Sequence, residues 1–511
     1  MTICKAVFNR GTILPRLLVL ATLSAGMIWA QAPGGDSKAV SVSKVERKNR
    51  APVSKEVLHV KLPRPVETTL PNGLSVLILQ DHRFPTVNVT LRLDGAGALG
   101  EPANQPGLAQ VTALMLREGT KTRLSRQIGE EVDRMGAQLS ASARFGQTAA
   151  IIDASGLSDN FEDWFALLTD VLENPTFPSD ELAKLKQRLK AQLIQQRTQS
   201  GFLASERFAK AVYGVHPAST VSATPESLDA LTSETLAKWH KEFYAPQNAI
   251  LAIAGDVNAK DLIPKLTKWL GAWQKTEAKA SQPGNPTPAA ARKIYVVNRP
   301  DSVQTTLAMG NIAIARTSPD YVPLVVLDQV LGAGAASRLF LNLREEKGYT
   351  YGVYSSFAAS KFPGPWRAGG DLRTDVTEGA MNEFMKELNR IRDEKVPEKE
   401  LDEARRAVVA GFALSLEQPT QVLQLAVERK IYGFPEDYWD TYPVKIAAVS
   451  ADDLQRVAQT YINPQTMQVV AVGDASKIKT VMEKFGPVGV YDAQGKPEDS
   501  KAAPKDKPST E

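Results

Sequence analysis

Cysteine is almost absent from this chain. Of 511 residues only Cys4 is a cysteine, and it lies ahead of the first apolar stretch. Everything beyond it therefore has no disulfide, no thiolate metal site and no cysteine nucleophile. Histidine is nearly as scarce: His59, His82, His216 and His240 are the only four. No two stand three or four residues apart, the spacing that sets a pair of imidazoles on one helix face around a metal. No Gly-x-Ser-x-Gly occurs to signal a serine nucleophile. The net charge is +4, too small at this length to mark a nucleic-acid surface. Past the N-terminus no apolar run approaches about 18 residues, so a later membrane helix is not expected.

What is present begins with a targeting pattern. Lys5, Arg10 and Arg16 precede the short apolar core Leu17 to Ala30, which ends in small residues. This reads as a signal peptide, 1–30, cleaved after Ala30, with an uncleaved anchor as the alternative. The expected location is the periplasm. Residues 31–54 are rich in Ala, Gly, Ser, Lys and Val without periodicity and read as a flexible lead-in. A hydrophobic share of 43% against 23% charged residues is that of a globular chain, long enough for two to four domains.

The body alternates strands and helices. Strands are expected at Leu74 to Gln80, after a Pro-Asn-Gly turn, and at Thr86 to Leu93, which alternates cleanly. A helix over Arg123 to Met135, two strands near Ala137 to Ala143 and Thr148 to Ala154, and helices from Asn160 to Leu172 and Ser179 to Arg197 follow. A helix at Ser233 to Phe243 leads into a strand at Ala249 to Ala254. Residues 277–292 then carry three prolines and no apolar period, the composition of a linker.

Beyond the linker the chain repeats itself. Tyr244-Ala-Pro-Gln-Asn and Gly255-Asp256 return as Ile462-Asn-Pro-Gln-Thr and Gly473-Asp474. Val212-Tyr-Gly214 returns as Ile431-Tyr-Gly433, and Leu231-Thr-Ser-Glu as Val449-Ser-Ala-Asp. One nearly constant offset joins all these pairs, which indicates two homologous domains, 55–276 and 293–490. The tail, 491–511, is poor in apolar residues and is expected to be disordered.

The stretch Pro106 to Thr120 has glycine near either end and Leu108, Val111 and Met115 at helical spacing. By itself it reads equally as an ordinary core helix. It resembles the zinc helix of the pitrilysin/insulinase (inverzincin) metallopeptidases, G-x-A-H-x-x-E-H-x-L-x-x-G-T, at Gly107, Ala109, Met115, Gly119 and Thr120. The chemistry departs from it. Gln110, Ala113 and Leu114 stand where the family has His, Glu and His. The third ligand, a glutamate on a later long helix, falls to within about one turn at Gln192. Neither amide nor aliphatic side chains make a zinc set, and Ala113 cannot serve as a general base. The resemblance covers about Lys61 to Val490. It implies an α+β fold of two homologous pitrilysin/mitochondrial-processing-peptidase-like α/β domains joined by a Pro/Ala-rich linker.

The second domain keeps what the first has lost. Ser337-Arg-Leu, Leu343-Arg344, Gly348 and Tyr351 resemble the family's C-terminal pattern S-R-L-x-x-x-L-R-x-x-x-G-x-x-Y. In active members that arginine binds a substrate carbonyl and that tyrosine donates to the oxyanion of the tetrahedral intermediate, where one donor contributes roughly 3 kcal/mol. The bland alternative puts Arg344 in solvent at a helix end and packs Tyr351 in a strand. The resemblance implies the non-zinc subunit of a two-chain metallopeptidase. No cofactor is expected on this chain, zinc is expected in a homologous partner subunit, and peptides are the expected substrates. A scaffold or peptide-binding protein of the same fold, and a protease working alone through another site, are the competing readings.

Overall fold

Two six-stranded mixed sheets, each built from one half of the chain, organise the computed structural model, which describes residues 56–277 and 283–498. The expected signal peptide and lead-in, residues 278–282 of the linker and the end of the tail lie outside the described residues. The first sheet contains β1 (Val66–Thr69), β2 (Ser75–Gln80), β3 (Thr86–Asp94), β4 (Gln138–Ala143), β5 (Ala149–Leu157) and β6 (Ala249–Gly255), in the order β1-β2-β6-β3-β5-β4. The second contains β7 (Lys293–Asn298), β8 (Gln304–Ile314), β9 (Thr350–Phe357), β10 (Gly364–Arg373), β11 (Gln468–Gly473) and β12 (Val488–Tyr491), in the order β12-β7-β11-β8-β10-β9.

The halves repeat element by element. The helices Ser179–Gln196 and Glu398–Ser415 both have 18 residues, Ser200–Tyr213 and Pro419–Tyr432 both 14, and Ser233–Phe243 and Ala451–Tyr461 both 11. The sequence landmarks of the repeat fall at the ends of elements: Gly255 and Gly473 end β6 and β11, and the others mark helix starts and stops. Thr232 and Ser450 cap their helices by accepting from the N–H of Thr235 and Asp453, at 3.3 and 3.1 Å. Gly214 and Gly433 end the 14-residue helices at φ 57° and 66°, a backbone conformation that favours glycine.

Strand composition follows burial. Along β3 the alternation Val87, Val89, Leu91, Leu93 against Thr, Asn and Arg puts one face in the core and one towards the surface. β6 and β11 are almost wholly apolar because both of their faces are covered. The second cover comes from the other half. Val422, Leu423, Ala426 and Val427 of helix Pro419–Tyr432 pack on Leu77, Leu79, Ala252 and Ala254 of the first sheet. Leu203, Ala204, Phe208 and Val212 of helix Ser200–Tyr213 pack on Val297, Ala308, Val470 and Val472 of the second. Each half thus covers the other's sheet with the same helix of the repeat, and neither core is complete alone.

The start of the expected tail is ordered. Tyr491 belongs to β12, and the chain after it is held through Arg197 and Arg207, which donate to the carbonyls of Ala493 and Gly495 at 2.9 and 2.6 Å. The low apolar content of 491–498 gave no sign of this, because backbone carbonyls and a few single side chains, such as Tyr491 under the Arg207 guanidinium, make the contacts.

Candidate functional site

The helix resembling the zinc helix runs Leu108–Met115, then tightens into a 3₁₀ turn at Leu116–Glu118, shorter than the expected span. Leu108, Val111 and Met115 are buried as the periodicity required. Its N-terminus is tied down by a residue that the sequence reading missed. The Glu101 carboxylate accepts from the N–H of Gly107 at 3.0 Å and of Ala109 at 2.5 Å. These bonds and the helix dipole favour the anion, while burial disfavours it. Burial prevails, and the Glu101 carboxyl is pushed up to about 7. The available signal was a lone glutamate just before the Asn-Gln-Pro-Gly entry to a helix with no capping side chain.

The structure puts Gln110 and Leu114 half-buried on one side of this helix, with Ala113 fully buried between them. Leu114 packs against the core of the first half. The helix Ser179–Gln196, which carries Gln192, packs alongside; its Leu182, Leu185 and Leu193 are buried, and Gln192 faces solvent. The four positions offer two amide groups and two aliphatic side chains, which do not fit a zinc ion. Among the described residues no group of three or more His, Cys, Asp or Glu could hold a metal.

His216 and His240 are structural. His240 Nε2 stands 2.7 Å from the Leu172 carbonyl, so that nitrogen carries the proton, and burial holds the imidazole neutral down to about 4. His216 Nε2 stands 2.9 Å from the Gly284 carbonyl, and its Nδ1 accepts from the N–H of Ala218.

Arg344 and Tyr351 both lie in the second half, on adjoining elements. Arg344 lies in a π-helical turn, Leu341–Glu346, with its guanidinium 4.7 Å from the centre of the Phe340 ring. Tyr351 is on the outermost strand, β9, and is 89% exposed. It does not pack in the sheet, so the bland reading fails for the tyrosine. The Arg344 side chain is 45% exposed, and among the described residues the carboxylate it meets is that of the neighbouring Glu345, at 3.5 Å. Both donors are thus presented outward. No hydrogen bond, ion pair or ring contact joins them to Gln110, Leu114 or Gln192 among the described residues.

Comparison with known proteins bears on the family and the fold. Residues 75–225 match the family model described as insulinase, peptidase family M16, and residues 230–408 match the peptidase M16 inactive domain. The chain belongs to the M16 peptidase family. Over 350 residues it is 24% identical to YmxG of Bacillus subtilis, an uncharacterized zinc protease, covering 68% of this chain and 84% of that one. Over 358 residues it is 26% identical to an uncharacterized zinc protease of Rickettsia bellii, covering 68% and 83%. The crystal structure of an M16 inactive domain from Pseudomonas fluorescens superposes with a TM-score of 0.74 at 26% identity, over 81% of this chain and 98% of that one. A Helicobacter pylori protease gives 0.73 at 20% identity, over 80% and 100%, which bears on the fold alone. Both M16 halves are thus present, and the α+β duplication read from the repeat is that of the family.

Proposed function

We propose that this M16 chain is the non-zinc subunit of an exported two-chain peptidase. It supplies Arg344 and Tyr351 to a homologous, zinc-bearing partner that cleaves peptides. One observation carries the reading: the donor pair is kept and turned outward while the ligand positions of the same chain hold Gln110, Leu114 and Gln192. A tyrosine packed in the sheet would need no partner. A phenol 89% exposed on an outer strand is available to another molecule. Tyr351 would donate its O–H to the oxyanion that forms as the peptide carbonyl is attacked, and Arg344 would hold a neighbouring substrate carbonyl. The apolar core Leu17 to Ala30 supports export, which N-terminal sequencing of the cell-envelope protein tests by finding a start near Gln31.

The experiment is reconstitution. This chain is mixed with an M16 homologue that retains H-x-x-E-H, and cleavage of unstructured peptides is followed with and without chelator. The reading expects little hydrolysis by either chain alone and chelator-sensitive hydrolysis by the pair. A pair that assembles yet cleaves no faster than the partner alone leaves this chain a peptide-binding scaffold. Hydrolysis by this chain alone supports a self-sufficient enzyme instead.

A further inference from the structure

The outer strand β9 is out of phase with its neighbour at one place. Val353 pairs with Gly370 and Thr350 with Leu372, so Tyr351 and Gly352 together stand opposite Asp371. An extra residue in one strand resets its alternation. Thr350, Val353 and Ser355 accordingly turn inward and are buried, while Tyr351, Tyr354 and Ser356 all turn outward although Tyr351 and Tyr354 are three residues apart. The Thr350 hydroxyl fixes the bulge, accepting from the Gly352 N–H at 3.0 Å and lying 2.6 Å from the Asp371 carbonyl. Gly352 leaves room for this arrangement: a Cβ there would stand 3.0 Å from the Tyr354 ring, tight enough to push the ring off the bare backbone that it lies across. That ring also meets Phe340 at 5.8 Å between centres, the same ring that carries the Arg344 guanidinium.

Directly opposite the exposed Ser356, on β10, stands Arg367. Its side chain reaches helix Ser200–Tyr213, donating to Ser205 Oγ at 3.2 Å and lying 5.3 Å from the centre of the Phe208 ring. Among the described residues no carboxylate pairs with it, and burial lowers its pKa without an opposing charge. A guanidinium drawn from water without a counter-ion is costly, and a carboxylate ligand would offset that cost.

We propose that Tyr354, Ser356 and Arg367 form a subsite for a carboxylate of an extended peptide bound along the face that carries Tyr351. The guanidinium takes the carboxylate, the Ser356 hydroxyl donates to it, and the Tyr354 ring supports the methylenes beside it. At roughly 3.3 Å per residue, the step from Tyr351 to Ser356 puts that carboxylate about four residues from the bond held at Tyr351. This register rests on the split-site reading; the binding itself does not. The carboxylate is that of an Asp or Glu side chain or of the peptide's C-terminus.

The test is fluorescence anisotropy at low salt with the full isolated chain and three labelled decapeptides. One has an internal Glu and an amidated end, one has Gln there and a free C-terminus, and one has Gln and an amidated end. At least one carboxylate-bearing peptide is expected to bind about tenfold tighter than the neutral one, and which of them does so identifies the source. Arg367→Met abolishes that preference, and Arg367→Lys keeps part of it. Tyr354→Ala weakens all three alike. Ser205→Asp, which sets a carboxylate beside Arg367, removes the preference by a second route if Arg367→Met does not fold. Equal affinity of the wild-type chain for all three peptides, or an unchanged preference in both Arg367→Met and Ser205→Asp, overturns the proposal. No partner or turnover enters this measurement, so its failure is distinct from failure of the split-site reading.

Discussion

Glu101→Gln isolates the charge held against the helix Leu108–Met115. In the fold the Glu101 carboxyl titrates near 7 rather than at its ordinary 4.5, because burial outweighs the N–H groups of Gly107, Ala109 and Gln110. Between those pH values the folded chain holds a proton that the unfolded chain has released. Stability therefore falls as pH rises through the window, by about 3 kcal/mol for a shift of this size. His240 acts in the opposite sense, staying neutral in the fold down to about 4 while its ordinary value is 6.5. Asp328, pushed up to about 6 by burial, adds to the Glu101 slope. The wild-type curve mixes all three, so the informative quantity is the difference between wild type and Glu101→Gln. Glutamine has no charge to bury. Its one oxygen can accept from either Gly107 or Ala109, which two different oxygens of Glu101 serve, and loss of the second bond is a pH-independent offset that the pH series separates from the charge effect. Urea unfolding at pH 5, 6, 7 and 8 should show the variant gaining on wild type by up to about 3 kcal/mol as pH rises. A pH-independent difference would refute the assignment of a buried, proton-holding Glu101.

His240→Gln should flatten the loss of stability on acidification from pH 6.5 to 4, since the imidazole that stays neutral in the fold is gone; the same urea series reads it. Leu423→Ala, in the helix that the second half lays on the first sheet, should cost about 2–5 kcal/mol and lower the midpoint of both halves together, read by tryptophan fluorescence and far-UV circular dichroism; two separated transitions would contradict the mutual cover. Untagged protein should carry well under one zinc per chain by elemental analysis, because Gln110, Leu114 and Gln192 supply no ligand set.

The parts of the fold that repeat were legible because their markers are local. A capping Thr or Ser, a glycine of positive φ and a Pro-Gln turn are each set by a few adjacent residues, so they survive in both copies and give a nearly constant offset. The strand Ala249 to Ala254 was legible as well, but not that β6 and its counterpart β11 are covered on both faces. What covers them was not legible, since helices Ser200–Tyr213 and Pro419–Tyr432 have ordinary amphipathic patterns that do not name a target sheet. At the site, the loss of ligands at Gln110, Leu114 and Gln192 and the retained Arg344 and Tyr351 could be read as residue types at fixed spacing. The exposure of Tyr351 could not, because a tyrosine in a strand suits core and surface alike. Tyr354 and Arg367 were missed for a related reason. Strict alternation turns Tyr351 and Tyr354 to opposite faces, and only the bulge at Gly352 brings them to one. Arg367 joins them only through strand pairing, and the sequence reading had not set the register between β9 and β10.

Tyr351→Phe in the reconstituted pair tests the central claim most directly. The substitution removes one hydroxyl from an exposed ring, so stability and assembly, checked by gel filtration, should hold. Loss of an oxyanion donor should lower kcat for peptide cleavage by roughly one to three orders of magnitude and leave KM nearly unchanged. Full kcat with Tyr351→Phe in an intact, chelator-sensitive complex would contradict the account.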